Sequence, residues 1–165
     1  MTSAPFVHLR LHTEFSVVDG AVRIPDAVAT ATACLQPALA MTDLSNLYGM
    51  VKFYKKTRSA GIKPIIGTEV MLVDVPDDAV PKAAMPGLAP TLSRIVLLAQ
   101  NHQGYLNICE LLARAWTQPS ARDQAAVRWP WLQELSEGLI VLSGAQAGPV
   151  GRALMAGDEG RAANL

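Results

Sequence analysis

The chain has 165 residues, one domain's worth at the usual ~100–200 residues per domain. Half of them are hydrophobic and 17% are charged, enough apolar material for a core, which excludes a disordered, collagen-like or low-complexity chain. Fourteen basic residues balance fourteen acidic ones, so no overall field draws a polyanion and nucleic acid is not an expected partner of the chain as a whole.

Pro5 to Leu11 alternates Phe6, His8 and Arg10 against Val7, Leu9 and Leu11, the period-2 pattern of a strand. After the Asp19-Gly20 turn, Pro25 suits a first helical turn, and a helix is expected through Ala27 to Cys34. Gln36-Pro37 stops it, and Ala38 to Met41 reads as a short apolar strand. Asn46 is expected to cap a helix through Met50, Val51, Phe53 and Tyr54 that Gly61 ends, with Phe53 and Tyr54 turned to the core. Ile62 to Val73, rich in β-branched residues and broken by Pro64 and Gly67, reads as a strand or a bent pair.

From Asp74 to Pro90, four prolines and no hydrophobic period predict a mobile surface loop, with or without a hairpin, that contributes little to the core. A strand follows over Arg94 to Ala99, expected beside the Ile62 to Val73 strand, then a helix over Gly104 to Trp116 and a polar loop over Gln118 to Val127. Trp129-Pro130-Trp131 leads into a short helix, Leu139 to Leu142 is expected to be a buried strand, and Pro149 to Met155 a last helix. Strands alternating with helices predict an α/β fold with a largely parallel sheet, which puts chemistry on the loops after strand ends.

Cys34 and Cys109 are too few and too far apart for a disulfide framework or a zinc ribbon, and each is expected to be an inert buried thiol in a reducing compartment. No apolar run approaches the ~18 residues of a membrane span and no signal core opens the chain, so a cytoplasmic location is expected. Lys52, Lys55, Lys56 and Arg58 form the one basic cluster, either an ordinary solvated helix face or a DNA-contacting stripe. Trp129 and Trp131 are either core packing or a partner-binding patch.

Polar groups fall where the strand-end rule puts them: His12 and Asp19 after the first strand, Asp43 after the second, Glu69 within the third. One imidazole and three carboxylates are ligand types of a hard or borderline divalent metal, although each alone is equally a hydrogen-bonded turn residue.

Three blocks, Phe-Val-His-Leu-Arg-Leu-His-Thr-Glu-Phe-Ser-Val-Val-Asp-Gly (6–20), Ala-Met-Thr-Asp-Leu-Ser-Asn-Leu-Tyr-Gly (40–49) and Gly-Ile-Lys-Pro-Ile-Ile-Gly-Thr-Glu (61–69), are followed by Leu-Leu-Ala-Gln-Asn (97–101), Gly-Tyr-Leu-Asn (104–107) and Gly-Leu-Ile-Val-Leu-Ser-Gly (138–144). In this order they resemble the PHP (polymerase and histidinol phosphatase) domain that opens bacterial replicative DNA polymerase III alpha subunits. The resemblance implies a PHP-type distorted (β/α) barrel related to a TIM barrel, at about 250 residues for a barrel of that kind. Residues 1–165 are then an incomplete N-terminal portion with loops at about 74–91 and 118–127, and the remainder of the polymerase lies outside them.

The resemblance also implies which site residues survive. Of the family's two first-motif histidine ligands, the first is replaced by Arg10 and the second is His12, with Asp19 the aspartate that follows. Its Thr-Asp-His motif reads Thr42-Asp43-Leu44, Glu69 matches a carboxylate ligand, Arg94 stands where a histidine is usual, and Ala145 where a cysteine or histidine often ligates. His12, Asp19 and Glu69 are too few for a multinuclear centre, and a guanidinium repels a divalent ion. The expected arrangement places Arg10 or Arg94 in the vacated cation volume, paired with Asp19 or Glu69, because an unpaired buried charge costs several kcal/mol.

The leading expectation is a degenerate site in a structural and docking module, without catalytic residues, that binds the proofreading exonuclease (epsilon) subunit and the rest of the polymerase alpha subunit. Direct DNA contact is not required, and no cofactor is expected in this stretch. The magnesium and the nucleotidyltransferase activity of the DNA-directed DNA polymerase lie outside it. The alternatives are an active metal-dependent phosphoesterase of the proofreading exonuclease or pyrophosphatase kind, and one of the histidinol-phosphatase kind. An uncovered sheet edge further predicts a possible homodimer.

Overall fold

A proline in the first helical turn marks where regular structure begins in the computed structural model, which describes residues 6–73, 92–118 and 125–165. The chain divides into two compact units, Met1–Thr68 and Glu69–Leu165.

In the first unit, α1 (Ile24–Ala33) tolerates Pro25 because the missing N–H would be unpaired there in any case, and Ile24, Val28 and Ala31 form its buried face. β1 (Ala38–Met41) falls where the apolar run predicts and is buried at every position, the continuous pattern of a strand covered on both faces. α2 (Met50–Ser59) is capped by Gly49, not by Asn46. The Asn46 side chain instead builds the preceding turn, donating to the carbonyls of Phe15 (3.1 Å) and Leu44 (3.0 Å) and accepting from the Tyr48 N–H. Phe53 and Thr57 take the buried side of α2, which leaves Tyr54 half exposed, contrary to the core position expected for it.

β2 (Lys63–Val73) is one continuous strand, not a bent pair, and runs parallel to β1 from Ala38↔Lys63 to Met41↔Ile66. The strand expected over Pro5 to Leu11 does not form among the described residues. His8 to Leu11 lies alongside β1 through Ala40 N–H to His8 O, Thr42 N–H to Leu11 O and Leu11 N–H to Thr42 Oγ1, each 2.9 Å. Its alternation holds in part: Phe6, His8 and Arg10 are exposed while Val7 and Leu11 are half-buried, Leu11 packing on the core, and only Leu9, 40% exposed, departs from the apolar face. The core gathers Ile24, Val28, Leu39, Met41, Phe53 and Ile62, each contributing about 1.5–3 kcal/mol on burial.

In the second unit, the rest of β2 neighbours β3 (Leu92–Ala99), as the sequence predicts. α3 (His102–Thr117) opens on Asn101, whose Oδ1 accepts from Gly104 N at 3.0 Å. It buries Ile108, Leu111, Leu112 and Ala115. A Cβ at Gly104 would sit 1.8 Å from the Gly138 carbonyl oxygen, so the helix start packs on that turn only as glycine. β4 (Ala126–Val127) pairs parallel with β2 at Met71 and Leu72, a strand where a polar loop was expected. After α4 (Trp129–Glu134), β5 (Leu139–Leu142) pairs antiparallel with β3 from Ala99↔Leu139 to Val96↔Leu142.

Of the sheet expected to be largely parallel, the β1–β2 and β2–β4 pairings are parallel, and β5 adds an antiparallel one. The burial expected of β5 is corrected, with Ile140 46% and Val141 45% exposed. An uninterrupted apolar run reads the same in a buried central strand and in a half-covered edge. A 3₁₀ turn (Ala145–Ala147), α5 (Pro149–Met155) and α6 (Glu159–Asn164) follow. Cys34 is exposed and Cys109 half-buried, against the buried thiols expected. Trp129 and Trp131 are half-buried, with the Arg128 guanidinium 5.0 Å from the Trp131 ring. The expected loop over Asp74 to Pro90, and 119–124 of the second one, lie outside the described residues. No helix among the described residues is long and apolar enough to cross a membrane.

Candidate functional site

The turn that follows His12 is held by its own backbone, with Ser16 N–H to Thr13 O at 2.8 Å and Gly20 N–H to Ser16 O at 2.7 Å. It closes only because residue 20 is glycine, since a Cβ there would lie 1.9 Å from Thr13 O. The turn delivers Asp19 to His12: Asp19 Oδ1 is 2.8 Å from His12 Nδ1 and accepts from Ser16 Oγ at 2.9 Å. Ser16 Oγ in turn accepts from Leu44 N–H at 3.1 Å, which joins this turn to the segment after β1. The His12 side chain is largely covered, that of Asp19 about one-third exposed.

Asp43 follows β1 and is wholly buried. Its carboxylate accepts from the Thr13 N–H and, at 2.8 Å, from Thr13 Oγ1, while its carbonyl accepts from Thr68 Oγ1 at 2.7 Å. These donors compensate the desolvation of a buried carboxylate and make Asp43 a staple between three segments of the first unit. Leu44 contributes its backbone N–H to that arrangement and a side chain with no ligating atom.

In the second unit Glu69 lies within β2 and is 2% exposed, with Arg94 Nη1 of β3 at 3.4 Å from its Oε1. Of the pairings expected from the sequence, this is one the structure contains. The guanidinium stays charged at any physiological pH and so provides the countercharge a buried carboxylate needs. Arg10 is exposed, and Ala145 sits exposed in the 3₁₀ turn after β5, with only a methyl side chain.

A multinuclear metal centre needs several imidazoles and carboxylates converging with an open position. Among the described residues no three His, Cys, Asp or Glu side chains come together in a group that could hold a metal ion. In the first unit Asp43 is engaged by threonine donors, and in the second Glu69 by a guanidinium. Sequence reasoning missed the Thr13–Asp43 staple and the His12–Asp19 contact. The signal for the second was local, a serine three residues before an aspartate in a turn, where such side chains bond to one another and to nearby backbone.

The PHP domain family model matches residues 8–165. DNA polymerase III subunit alpha of Pseudomonas aeruginosa is 42% identical over 160 residues, 97% of this chain and 13% of that protein. The same subunit of Escherichia coli K12 is 39% identical over 158 residues, 96% of this chain and 13% of that protein. The chain thus spans about an eighth of the length of these relatives. Among solved structures, an amidohydrolase from Chromobacterium violaceum aligns at a TM-score of 0.47 and 20% identity, over 67% of this chain and 33% of that one.

Proposed function

Because the chain belongs to the PHP domain family, we propose that it serves as the PHP domain of a DNA polymerase III alpha-type subunit, where it acts as a structural and docking module with a degenerate, inactive metal site. The observation that carries this reading is the Arg94–Glu69 pair. A permanent cation held against a buried carboxylate does the charge compensation that a divalent metal would otherwise do, without any open coordination position for water.

In this reading the work of the domain is to present surface. The two partners in this reading are the rest of the polymerase subunit and the proofreading exonuclease (epsilon) subunit. The remaining polar residues then act on the fold: Asp43 ties Thr13 to Thr68, and the His12–Asp19–Ser16 set orders the turn beside them.

The test uses the complete polymerase subunit that contains this segment. After exposure to zinc and manganese and exhaustive dialysis, elemental analysis is expected to find no metal that is lost on His12→Ala, and no phosphoesterase activity is expected that the same substitution removes. The exonuclease subunit is expected to co-elute with it. One equivalent of metal together with a hydrolytic activity, both abolished by His12→Ala, would establish the active phosphoesterase instead.

A further inference from the structure

We propose that the outward face of α2 binds single-stranded DNA, its cations tracking the phosphate backbone and Tyr54 stacking on a base. Helix α2 carries Lys52, Lys55, Lys56 and Arg58 and no acid, in a chain whose net charge is zero, so the rest of the chain is net acidic. An ordinary solvated helix face interleaves acids at i,i+4 spacing, and α2 does not. The helix dipole favours Lys56 and Arg58 in the last turn but opposes Lys52 in the first. Lys52 is held by Glu14 at 2.7 Å, and that contact keeps the Glu14 carboxyl below the usual carboxylate range. Lys55 has neither support, and among the described residues Lys55, Lys56 and Arg58 make no ion pair.

Two further observations select the ligand. Phe53 and Thr57 occupy the buried side, so Tyr54 stands 48% exposed at the edge of the basic surface, on the Arg58 side at i,i+4 spacing, and Tyr48 just before the helix is 73% exposed. Beside α2 lies a groove of about 310 Å³, lined by Lys52, Lys55, Lys56 and Ser59 together with Ile24 and Pro25. Ammonium groups lining a groove with apolar side chains suit a phosphodiester with its sugar edge. An open tyrosine ring suits an unstacked base, which a duplex does not offer. An acidic peptide would use the charge and leave the ring idle.

The test is fluorescence anisotropy of a labelled oligothymidylate with the full chain. The logarithm of the affinity is expected to fall against the logarithm of salt with a slope of about −2, at roughly −0.7 per phosphate neutralised for three cations. Lys55→Glu/Lys56→Glu/Arg58→Glu, all at exposed positions and checked by circular dichroism, is expected to weaken binding at least tenfold. Tyr54→Ala is expected to weaken it about fivefold or more without changing the salt slope, and Arg161→Glu on α6 to leave it unchanged. Unaltered binding by the triple variant, equal affinity for duplex with no effect of Tyr54→Ala, or equal displacement by polyglutamate would each overturn the proposal. Loss of exonuclease-subunit capture by the triple variant with DNA binding intact would also overturn it, while leaving the docking function standing; the reverse result separates the two the other way.

Discussion

Glu69 is buried and Arg94 half-buried, and this asymmetry sets the expected cost of separating them. Arg94→Leu leaves a carboxylate inside the fold without that countercharge and is expected to cost about 2 kcal/mol in urea denaturation, less than for a fully buried pair because the guanidinium is partly solvated. Adding Glu69→Gln to Arg94→Leu is expected to recover part of that loss, since the charge is then gone as well. A double variant as unstable as Arg94→Leu alone would deny the pair its role. A second expected loss concerns Asp43: Thr13→Val keeps the shape but removes the hydroxyl donor, at about 1–3 kcal/mol for an under-satisfied buried acceptor. Glu69 was legible because it closes a recognisable block, and Arg94 because it stands at the head of the strand that leads into the next one. The Thr13 hydroxyl was not, because a threonine at a strand end carries no mark of the carboxylate thirty residues on that it serves.

Between elements, Arg114 of α3 grips α4, with Nη1 and Nη2 at 2.7 and 3.0 Å from the two carboxylate oxygens of Glu134 and Nε at 2.8 Å from Glu110. The forked contact lowers the Glu134 carboxyl below its ordinary range and raises the Arg114 guanidinium. A lowered carboxylate contributes stability above its unfolded pKa, about 4.3 for glutamate, and loses it as pH falls through the folded value. The difference in urea midpoint between the parent chain and Glu134→Gln is therefore expected to be largest near neutral pH and to vanish on acidification. It should also shrink with added salt, because the pair is solvent-exposed. A difference independent of pH would assign the effect to packing.

Elements with a clear period or cap, such as α1, β1, α3 and α5, were legible in the sequence. β4 was not, being two residues inside a polar stretch. Nor was the exposure of Tyr54, since adjacent helical positions differ by about 100° and Phe53 and Tyr54 are chemically equal claimants for the core.

Among the described residues, β5 ends the hydrogen-bonded path of strands and carries Ile140 and Val141 about half exposed. An apolar edge without a charge invites another strand. The isolated 165-residue chain is expected to self-associate with rising concentration in light scattering, and Ile140→Lys or Val141→Lys is expected to return it toward the monomer mass. A monomer at all concentrations would show the edge to be closed. Fold class was legible from alternation and the matched blocks together. The direction of β5 was not, because strand polarity depends on connections that hydrophobic pattern does not encode.

Asp43 and its neighbour differ in a way that a codon-by-codon survey would expose. Asp43 gives its carboxylate to Thr13 and its carbonyl to Thr68, whereas Leu44 gives Ser16 only a backbone N–H that every residue except proline possesses. In a library of all single replacements selected for soluble protein, position 43 should be almost empty of survivors and position 44 well populated. Along a lineage the same inequality lets the side chain at 44 drift while the aspartate beside it stays, so a change of side chain there need leave no trace in the fold.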